Sequence, residues 1–516
     1  MTPRLRFSEG SPRPRVFRDR ALPHKGMTMI DQLKSLTHLD IYPASVTAAG
    51  GATYFLGRKG LDKLVGCVGG PCLPNVKPVG EIDGKCVCVG PTDHANALAL
   101  REALPWTGPR CIGLATSAGL GDRLGVATPG HVRAIRGSGL VPIFAQQSIR
   151  EMTRTRRTPE EVMDCATWGV FQEGYREGFG SDADHLQKPE DIDATVAAGF
   201  TMFTIDPGAH VDNDADTDDH AGLTAKVAAL DFQTLDTSAA DLKACYAGQS
   251  FDLGGGVVIA FDEDALLRAA AKYGSAVAHT VRMYRHLQDV ATKDFELEVS
   301  VDETDSPTSP AEHYFFANEL KRLGVRWVSM APRYIGEFEK GVDYIGDLDE
   351  FRESFAVHVA IMKALGPYKM SIHSGSDKFS IYPIVAELAG PYVHLKTAGT
   401  SYLEAVRSIA TIDPGLFREI LDFARQRYDQ DKATYHVSAD IAKVPAADTL
   451  RDDQLHDLPD QFDAREALHV TFGSVLTADG GKRFRTRLLE ALKKDEETHY
   501  SVLSKHIGRH VAPFRK

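Results

Sequence analysis

Acidic side chains alternate with apolar ones along the segment Phe295–Thr304, and this spacing is the first sign of chemistry in the chain. Successive side chains of a β-strand point to opposite faces, so every second residue shares a face. One face would carry the polar set Glu296, Glu298, Ser300 and Asp302. Because buried carboxylates are costly unless they bind a cation or transfer protons, this strand predicts one wall of a reaction site. Glu298, nearest the middle of the wall, is the better candidate for proton transfer.

Two histidines lie where other predicted strands end. His185 closes the run Asp182-Ala-Asp-His185, and His373 ends a strand of its own. Two neutral imidazoles and a carboxylate can hold a divalent transition metal and leave positions open for substrate oxygens. We therefore predict His185 and His373 as metal ligands, with Glu339 or Glu337 as the oxygen ligand. The alternative is that each histidine only hydrogen-bonds inside the fold. Mn, Zn, Ni, Co and Fe all suit such a donor set.

Four basic residues near predicted strand ends are candidates to neutralise a substrate carboxylate. They are Arg123, Arg333, Lys378 and Lys396. Arg123 lies in the Gly-rich loop Gly119–Gly125, whose backbone N–H groups are candidates to bind an anion. The Gly spacing is not that of a dinucleotide-binding fingerprint, so no nicotinamide motif is visible. The sequence leaves a small anionic substrate open, provided that a few of these residues converge.

The elements that must position these residues alternate between short apolar runs and helical stretches. Such alternation predicts parallel strands joined by right-handed crossovers. Polar residues recur at the C-terminal end of nearly every run, which favours a closed (β/α)₈ TIM-like barrel over an open sheet. Nine candidates compete for the eight places: Cys111–Thr116, Val141–Gln146, Asp182–Leu186, Thr201–Asp206, Phe295–Asp302, Trp327–Ala331, Lys369–Ser374, Val393–Thr397 and Thr434–Ser438.

The chain of 516 residues is long enough for a large barrel and a smaller domain. We predict a disordered extension over residues 1–30, a small α/β accessory domain over 31–105, and the metal-dependent barrel over 106–516. Met27 and Met29 offer alternative starts after an Arg-rich opening. The acidic stretch Ala209–Gly256 breaks the strand–helix rhythm and predicts an insertion beside the barrel mouth.

Composition restricts the class of partner. A net charge of −12 argues against nucleic acid and against an anionic membrane surface. No apolar run approaches the roughly 20 residues needed to span a bilayer. The seven cysteines form no CxxC pair, so the sequence supports neither a disulfide scaffold nor a zinc ribbon. These features predict a cytoplasmic protein with a small-molecule substrate, and they leave a homo-oligomer open.

A string of longer motifs then resembles one family. It runs from about Gly119 to the C-terminal Lys505-His-Ile-Gly-Arg-His510. The motifs are Thr128-Pro-Gly-His131, Pro142-Ile-Phe-Ala-Gln-Gln-Ser148, Ala166-Thr-Trp-Gly-Val-Phe-Gln-Glu-Gly-Tyr175, Asp182-Ala-Asp-His185, Phe200-Thr-Met-Phe-Thr-Ile-Asp-Pro207, Glu298-Val-Ser-Val-Asp-Glu-Thr304, His373-Ser-Gly-Ser-Asp-Lys-Phe379 and Lys396-Thr-Ala-Gly-Thr-Ser-Tyr-Leu-Glu404. Together they resemble the bacterial tagaturonate epimerase (tagaturonate/fructuronate epimerase) family.

The resemblance implies a metal-dependent isomerase that interconverts D-tagaturonate and D-fructuronate in hexuronate breakdown. It implies Asp184 as proton acceptor, Glu298 as proton donor, and His185 and His373 as metal ligands. Glu339 would be the third ligand. One divalent cation would be the cofactor.

The two keto-acids differ at C4, whose C–H is β to the C2 ketone and is therefore not acidified by it. Either the C3–C4 bond is broken and remade, or a proton or hydride moves at C4 directly. We prefer the first route. The alternative functions are a ketose 4-epimerase acting on tagatose or fructose, a class II-like aldolase, and a non-catalytic barrel that binds sugar acids.

Overall fold

The computed structural model describes residues 27–70, 72–373 and 377–515. The predicted extension over residues 1–30 therefore lies almost wholly outside the described residues. Helix α1 begins at Met29, inside the predicted limit of that extension. Its first turn is fixed by Thr28, whose hydroxyl accepts a hydrogen bond from the backbone N–H of Asp31.

Six strands form an antiparallel sheet before the barrel begins. In chain order they are β1 (Asp40–Ile41), β2 (Thr47–Ala49), β3 (Ala52–Lys59), β4 (Asp62–Val68), β5 (Lys77–Ile82) and β6 (Lys85–Pro91). The spatial order is β1-β3-β4-β6-β5, with β2 paired to β3. One face packs around Leu33 and Phe55, and the other packs around Tyr54 and Leu56 against Trp168. The sheet thus has a small core on each face.

Ten further strands follow, of which eight close into a parallel barrel and two form a separate antiparallel hairpin. They are β7 (Ser117–Gly119), β8 (Val141–Ser148), β9 (Gly180–Leu186), β10 (Met202–Ile205), β11 (Gln249–Asp252), β12 (Val258–Phe261), β13 (Glu296–Val301), β14 (Ser329–Pro332), β15 (Lys369–Ile372) and β16 (Val393–Lys396). The barrel runs β7-β8-β9-β10-β13-β14-β15-β16 and closes between β16 and β7. The predicted (β/α)₈ barrel is therefore confirmed.

Helices surround the barrel and extend beyond it. They are α1 (Met29–Thr37), α2 (His94–Ala103), α3 (Thr128–Ile135), α4 (Ile149–Thr155), α5 (Pro159–Glu173), α6 (Pro189–Ala198), α7 (His220–Ala228), α8 (Ala239–Tyr246), α9 (Glu263–Val290), α10 (Pro310–Arg322), α11 (Leu348–Leu365), α12 (Tyr382–Ala389), α13 (Ala398–Ile412), α14 (Pro414–Asp431), α15 (Asp452–Leu455), α16 (Phe462–Val470), α17 (Phe472–Thr477), α18 (Arg485–Lys494) and α19 (Glu496–Val511). A second apolar core forms among the C-terminal helices, around Leu403, Phe417 and Leu468. It closes one side of the barrel mouth.

The insertion between β10 and β13 contains α7, α8 and the β11–β12 hairpin. It touches the barrel mouth where Ser306, which follows β13, donates to Asp216 at 2.5 Å. Lys272 of α9 binds the same carboxylate at 2.9 Å. These two polar contacts fix the start of the insertion beside the ends of the strands.

Two of the nine predicted strands were wrong. The first barrel strand lies at Ser117–Gly119 and not at Cys111–Thr116. The segment Thr434–Ser438 is not a strand. At its end, the N–H of Ser438 donates to side-chain carboxylates and not to a neighbouring strand. The acceptors are Glu339 and Glu466, each at 3.2 Å. Asp182–Leu186 belongs to a full barrel strand, β9. Among the described residues, no helix has both the length and the apolar character needed to cross a membrane.

Candidate active site

One ammonium group lies among three buried carboxylates inside the barrel. The Nζ atom of Lys396, at the end of β16, is 2.6 Å from carboxylate oxygens of both Asp184 and Glu298. It is 2.9 Å from Asp182 and donates to the hydroxyl of Thr204 at 2.7 Å. All four charged residues are buried. The ammonium therefore offsets part of a negative charge that water cannot reach.

The protonation states of this cluster follow from the balance between burial and charge. Burial opposes the charge on Lys396, but the three carboxylates outweigh it and raise the pKa of Lys396 well above its ordinary value. Burial also opposes the charges on Asp184 and Glu298, yet Lys396 lowers the pKa of both. At Asp182 burial prevails and raises the pKa to about 6. Asp184 and Glu298 are therefore ionised at neutral pH.

His185 reaches the same place through a bulge in β9. The pairing of β9 with β10 shifts register between Ala183 and Leu186. His185 has a φ of 53°, in the left-handed region that residues other than Gly rarely adopt. A bulge re-aims side chains that strict alternation would send to opposite faces. As a result, Asp184 and His185 both line the cavity although they are neighbours in sequence.

His185, Asp302 and His373 form a group whose potential ligand atoms all lie within 4.8 Å of one another. The two imidazole rings have centroids 5.4 Å apart, and Nδ1 of His373 lies 3.3 Å from Oδ1 of Asp302. Nδ1 of His185 bonds Asp206 at 3.2 Å, which orients its ring. Nε2 of His373 bonds Glu298 at 2.7 Å. The structure thus joins the two predicted histidines to the carboxylate cluster.

The surroundings of these imidazoles favour positive charge. Burial opposes an imidazolium, but Asp184 and Asp206 raise the pKa of His185 to about 10. At His373 burial is likewise outweighed, chiefly by Asp302, and the pKa rises to about 9. A site that holds two imidazolium charges can instead hold one divalent cation on neutral imidazoles. The donor set of two imidazoles and a carboxylate fits a divalent transition metal.

The predicted oxygen ligands Glu339 and Glu337 make their hydrogen bonds to other residues. Glu339 accepts a hydrogen bond from the hydroxyl of Ser438 at 2.8 Å. Glu337 bonds His436 at 2.6 Å and pairs across a bridge with Ile345. Neither glutamate belongs to the group of three potential ligands. Asp302, at the end of β13, is the carboxylate that the fold brings to that position.

A cavity of about 360 Å³ opens at the barrel mouth beside this group. Its volume is within the range of small-molecule sites. The charged residues on its walls are Asp302, Glu303, Asp305, Arg333 and Lys340, together with His373 and His436. A narrower extension shares Lys340 and His373 and reaches Arg123, Arg150, Asp184, His185 and Lys396. The site is therefore a mixed-charge cavity, with cations and acids on the walls of both parts.

Arg123 is the best placed of the predicted substrate-binding cations. Its guanidinium pairs with Glu151 at 2.6 Å and lies 3.7 Å from the ring centroid of Phe472. Its Nη1 is buried without a hydrogen-bond partner among the described residues. Leaving a buried charged donor unpaired costs free energy. A carboxylate in the extension of the cavity could satisfy it.

The other three predicted cations differ in what they can do. Arg333 lines the cavity and lies 3.6 Å from Glu337. Lys378 donates to backbone carbonyls, at 2.8 Å for Glu339, and burial lowers its pKa to about 7. Lys396 is neutralised by its three carboxylates. The geometry therefore does not support Lys378 or Lys396 as a partner for a substrate carboxylate.

The Gly-rich loop after β7 does not form an anion site either. Asp122 accepts hydrogen bonds from the backbone N–H groups of Leu124 at 3.0 Å, Gly125 at 2.7 Å and Ala127 at 2.6 Å. The carboxylate of Asp122 accepts hydrogen bonds from all three of these N–H groups. These three backbone N–H groups are therefore not available to a substrate carboxylate or phosphate, and Arg123 is the remaining anion-binding candidate of the loop.

Sequence reasoning missed the third potential ligand and the ion pairs of the cluster. Asp302 carried a usable signal, since it shares its strand face with Glu298. Arg150 and Lys340 carried no such signal. They meet at Glu303, with N–O distances of 2.9 and 3.3 Å, because the start of α4 and the segment after β14 converge.

A family model described as UxaE, tagaturonate epimerase, matches residues 42–514. The chain belongs to the tagaturonate epimerase family. It is 47% identical over 419 residues to the tagaturonate/fructuronate epimerase of Thermotoga maritima, covering 81% of this chain and 85% of that one. It is also similar to the fructuronate-tagaturonate epimerase UxaE of Cohnella laeviribosi. The glycerol-bound crystal structure has a TM-score of 0.88, at 37% identity, and covers 94% of this chain and 98% of that one. The native crystal structure has the same identity and coverage and a TM-score of 0.87. By family, the protein is an epimerase and hence an isomerase.

Proposed function

We propose that this protein interconverts D-tagaturonate and D-fructuronate by inverting C4 of the keto-hexuronate. Relatives covering most of the chain are named for this pair of substrates. The observation that carries the proposal is the buried pair Asp184 and Glu298, which share the ammonium of Lys396. Asp184 and Lys396 line the narrower extension of the cavity, and Glu298 lies behind them. Such a pair of carboxylates can accept a proton on one carboxylate and donate a proton from the other, so the net charge of the site does not change. The seven free thiols fit a reducing compartment, and we place the reaction in the cytoplasm.

The substrate carboxylate would bind at Arg123. The guanidinium is held by Glu151 and by the Phe472 ring, so little conformational freedom is lost on binding. A neutral ketose lacks the group that would satisfy the buried Nη1 atom. This favours a sugar acid over tagatose or fructose as the substrate.

For the chemistry we propose cleavage and re-formation of the C3–C4 bond. A base removes the proton of the C4 hydroxyl, C4 becomes an aldehyde, and the C3–C4 electron pair passes to the three-carbon enediolate of C1–C3. The aldehyde of the other fragment turns to present its opposite face. C3 then attacks that face, and the new C4 oxygen takes a proton. Atoms and charge balance, and the configuration at C4 alone is inverted.

The residues of the chain account for both proton transfers. Asp184 is ionised and lines the cavity, so it can accept the hydroxyl proton. Glu298 returns a proton to the new C4 oxygen. Because Lys396 contacts both carboxylates at 2.6 Å, it can pass the proton from the acceptor to the donor. Gln146 donates to Asp184 at 2.8 Å and holds the acceptor in place.

A divalent metal is part of the proposal. His185, Asp302 and His373 would hold it. When bound, such a cation supplies positive charge beside the substrate oxygens that become negative during cleavage.

Two experiments test the proposal. The first removes metal with a chelator, restores Mn, Zn, Ni, Co and Fe one at a time, and follows conversion of tagaturonate; full activity of the chelated protein would exclude the metal. Turnover of tagatose in preference to tagaturonate would point instead to a neutral ketose 4-epimerase. The second experiment follows tagaturonate carrying deuterium at C4. Cleavage at C3–C4 retains the label in fructuronate, whereas its loss to solvent would exclude that route.

A further inference from the structure

Four thiols converge in the antiparallel sheet that precedes the barrel. Cys67 on β4 lies directly opposite Cys88 on β6. Cys86 precedes Cys88 by two residues and so points to the same face of the strand. The Sγ of Cys88 lies 3.5 Å from that of Cys72 and 3.6 Å from that of Cys86. The sulfur atoms of Cys67, Cys72 and Cys88 all lie within 4.8 Å of one another.

The turn after β4 is built to bring Cys72 back over the strands. Gly69 and Gly70 both have positive φ, 64° and 65°, which a residue with a side chain would adopt only with strain. A Cβ on Gly70 would also approach the Cβ of Ala52 to 2.7 Å. The backbone N–H of Leu73 donates to the Cys67 sulfur. A hydrogen bond from a backbone N–H to a sulfur stabilises and orients that sulfur as a thiolate ligand of a metal.

We propose that Cys67, Cys72, Cys86 and Cys88 form a tetrahedral thiolate site for Zn²⁺ or another thiophilic divalent cation. With a Zn–S distance of about 2.3 Å, tetrahedral sulfurs stand about 3.8 Å apart. The two sulfur–sulfur distances at Cys88, 3.5 Å to Cys72 and 3.6 Å to Cys86, are within a few tenths of an ångström of that value. Cys86 lies outside the group of three sulfurs within 4.8 Å of one another, so its side chain would turn towards Cys67 and Cys72 to complete the site. A disulfide would join only two of the sulfurs, at about 2.0 Å.

The site lies away from the carboxylates and histidines of the barrel and has a different chemistry. Soft thiolates select zinc-like ions, whereas imidazole and carboxylate ligands accept a wider range. Two ligands come from β6, one from β4 and one from the turn, so a bound ion would join the turn to the middle of the sheet. Small sheets with little apolar core gain much of their stability from such a site. The role is structural.

The spacing of the cysteines did not predict this arrangement, because it is Cys-x₄-Cys and Cys-x-Cys, with no CxxC pair. The cysteines are brought together by the antiparallel pairing of β4 with β6, which their spacing in the sequence does not reveal. The group of three sulfurs is Cys67, Cys72 and Cys88, and Cys86 adjoins it through Cys88. Cys111, Cys165 and Cys245 lie outside this sheet. Cys245 is exposed on α8 and provides a matched control.

The test is a titration of the full chain with Co²⁺ after reduction and removal of metal. Tetrathiolate Co²⁺ gives an intense sulfur-to-cobalt charge-transfer band in the near ultraviolet, which imidazole and carboxylate ligands of the barrel cannot give. We expect one equivalent of this band in the native protein and in Cys245→Ser. We expect Cys72→Ser to weaken it and the Cys72→Ser/Cys86→Ser double variant to lose it. Both changed positions are exposed, so circular dichroism should show a folded barrel.

A zinc assay on the same proteins should find one equivalent fewer in the double variant than in Cys245→Ser. Absence of the band in native protein with seven titratable thiols would overturn the proposal. So would a native mass two hydrogens short, with no metal at the sheet, because two of the thiols would then form a disulfide.

Discussion

Replacing Lys396 by methionine removes the only ammonium that contacts Asp182, Asp184 and Glu298 among the described residues. Methionine keeps a similar length and loses the charge. Since Lys396 Nζ lies 2.6 Å from both Asp184 and Glu298, their nearest oxygens are at most about 5 Å apart. Two unit charges at that separation repel by about 3 kcal/mol at an effective dielectric constant of 20.

The expected loss in free energy of unfolding is about 3–5 kcal/mol, the usual cost of leaving buried charge without its partner. Protonation limits the loss, because the pKa values of the three carboxylates rise when the ammonium is gone. When the pKa of a carboxylate is raised in the folded state, the free energy of unfolding falls as pH rises. The free energy of unfolding of the variant should therefore be closest to that of the wild type near pH 5 and furthest below it near pH 8.

The assay is urea unfolding of chelator-treated protein at both pH values, so that a bound metal cannot replace the missing charge. Lys363→Met is the matched control, since Lys363 is exposed on α11. It should change the free energy of unfolding by no more than about 0.5 kcal/mol. If Lys396→Met matched this control at pH 8, the ammonium would not be the element that stabilises the acids, and the proton path between Asp184 and Glu298 would lose its basis.

Three further predictions concern the metal, the substrate and the pH dependence of stability. His373→Ala should weaken binding of a divalent metal by more than the roughly 10–100-fold expected for an outer contact, measured by calorimetry; unchanged affinity would remove it from the ligand set. Arg123→Met should raise KM for tagaturonate roughly 10–100-fold with metal content unchanged, and an unaltered KM would place the substrate carboxylate elsewhere. Burial and Glu339 raise the pKa of Glu466 to about 8, so its contribution to stability is lost as pH rises from about 4.5 towards 8. Glu466→Gln should flatten that part of the stability profile in urea unfolding, and an unchanged slope would count against a protonated Glu466.

Much of the fold was readable because the barrel strands are short, apolar and regularly spaced. The alternation of Glu296, Glu298 and Ser300 in β13 also gave the correct inward face, since Glu298 and Ser300 contact His373. The alternation of polar and apolar residues involves only neighbours in the chain, so it can be read from the sequence.

The errors have a common physical origin. Thr434–Ser438 has the composition of a strand, but carboxylates from distant helices and loops bind its backbone. The loop Gly119–Gly125 has the composition of an anion site, but Asp122 fills it. In both cases a side-chain carboxylate accepts the hydrogen bonds of backbone N–H groups. Packing brings that carboxylate to Ser438 from distant parts of the chain, whereas Asp122 belongs to the loop itself.

The sequence by itself determined that a parallel barrel would carry acids and histidines at the ends of its strands. Only the tertiary structure decided which of them meet. Asp302 and not Glu339 joins His185 and His373, because β13 delivers it to the mouth while the segment after β14 folds back on itself. Lys396 serves three internal carboxylates rather than a ligand, because β16 closes the barrel next to β7 and reaches across its interior to β9 and β13. Distances between residues far apart in the chain depend on the register of the strands and on the closure of the barrel. Neither can be read from the spacing of residues within one segment.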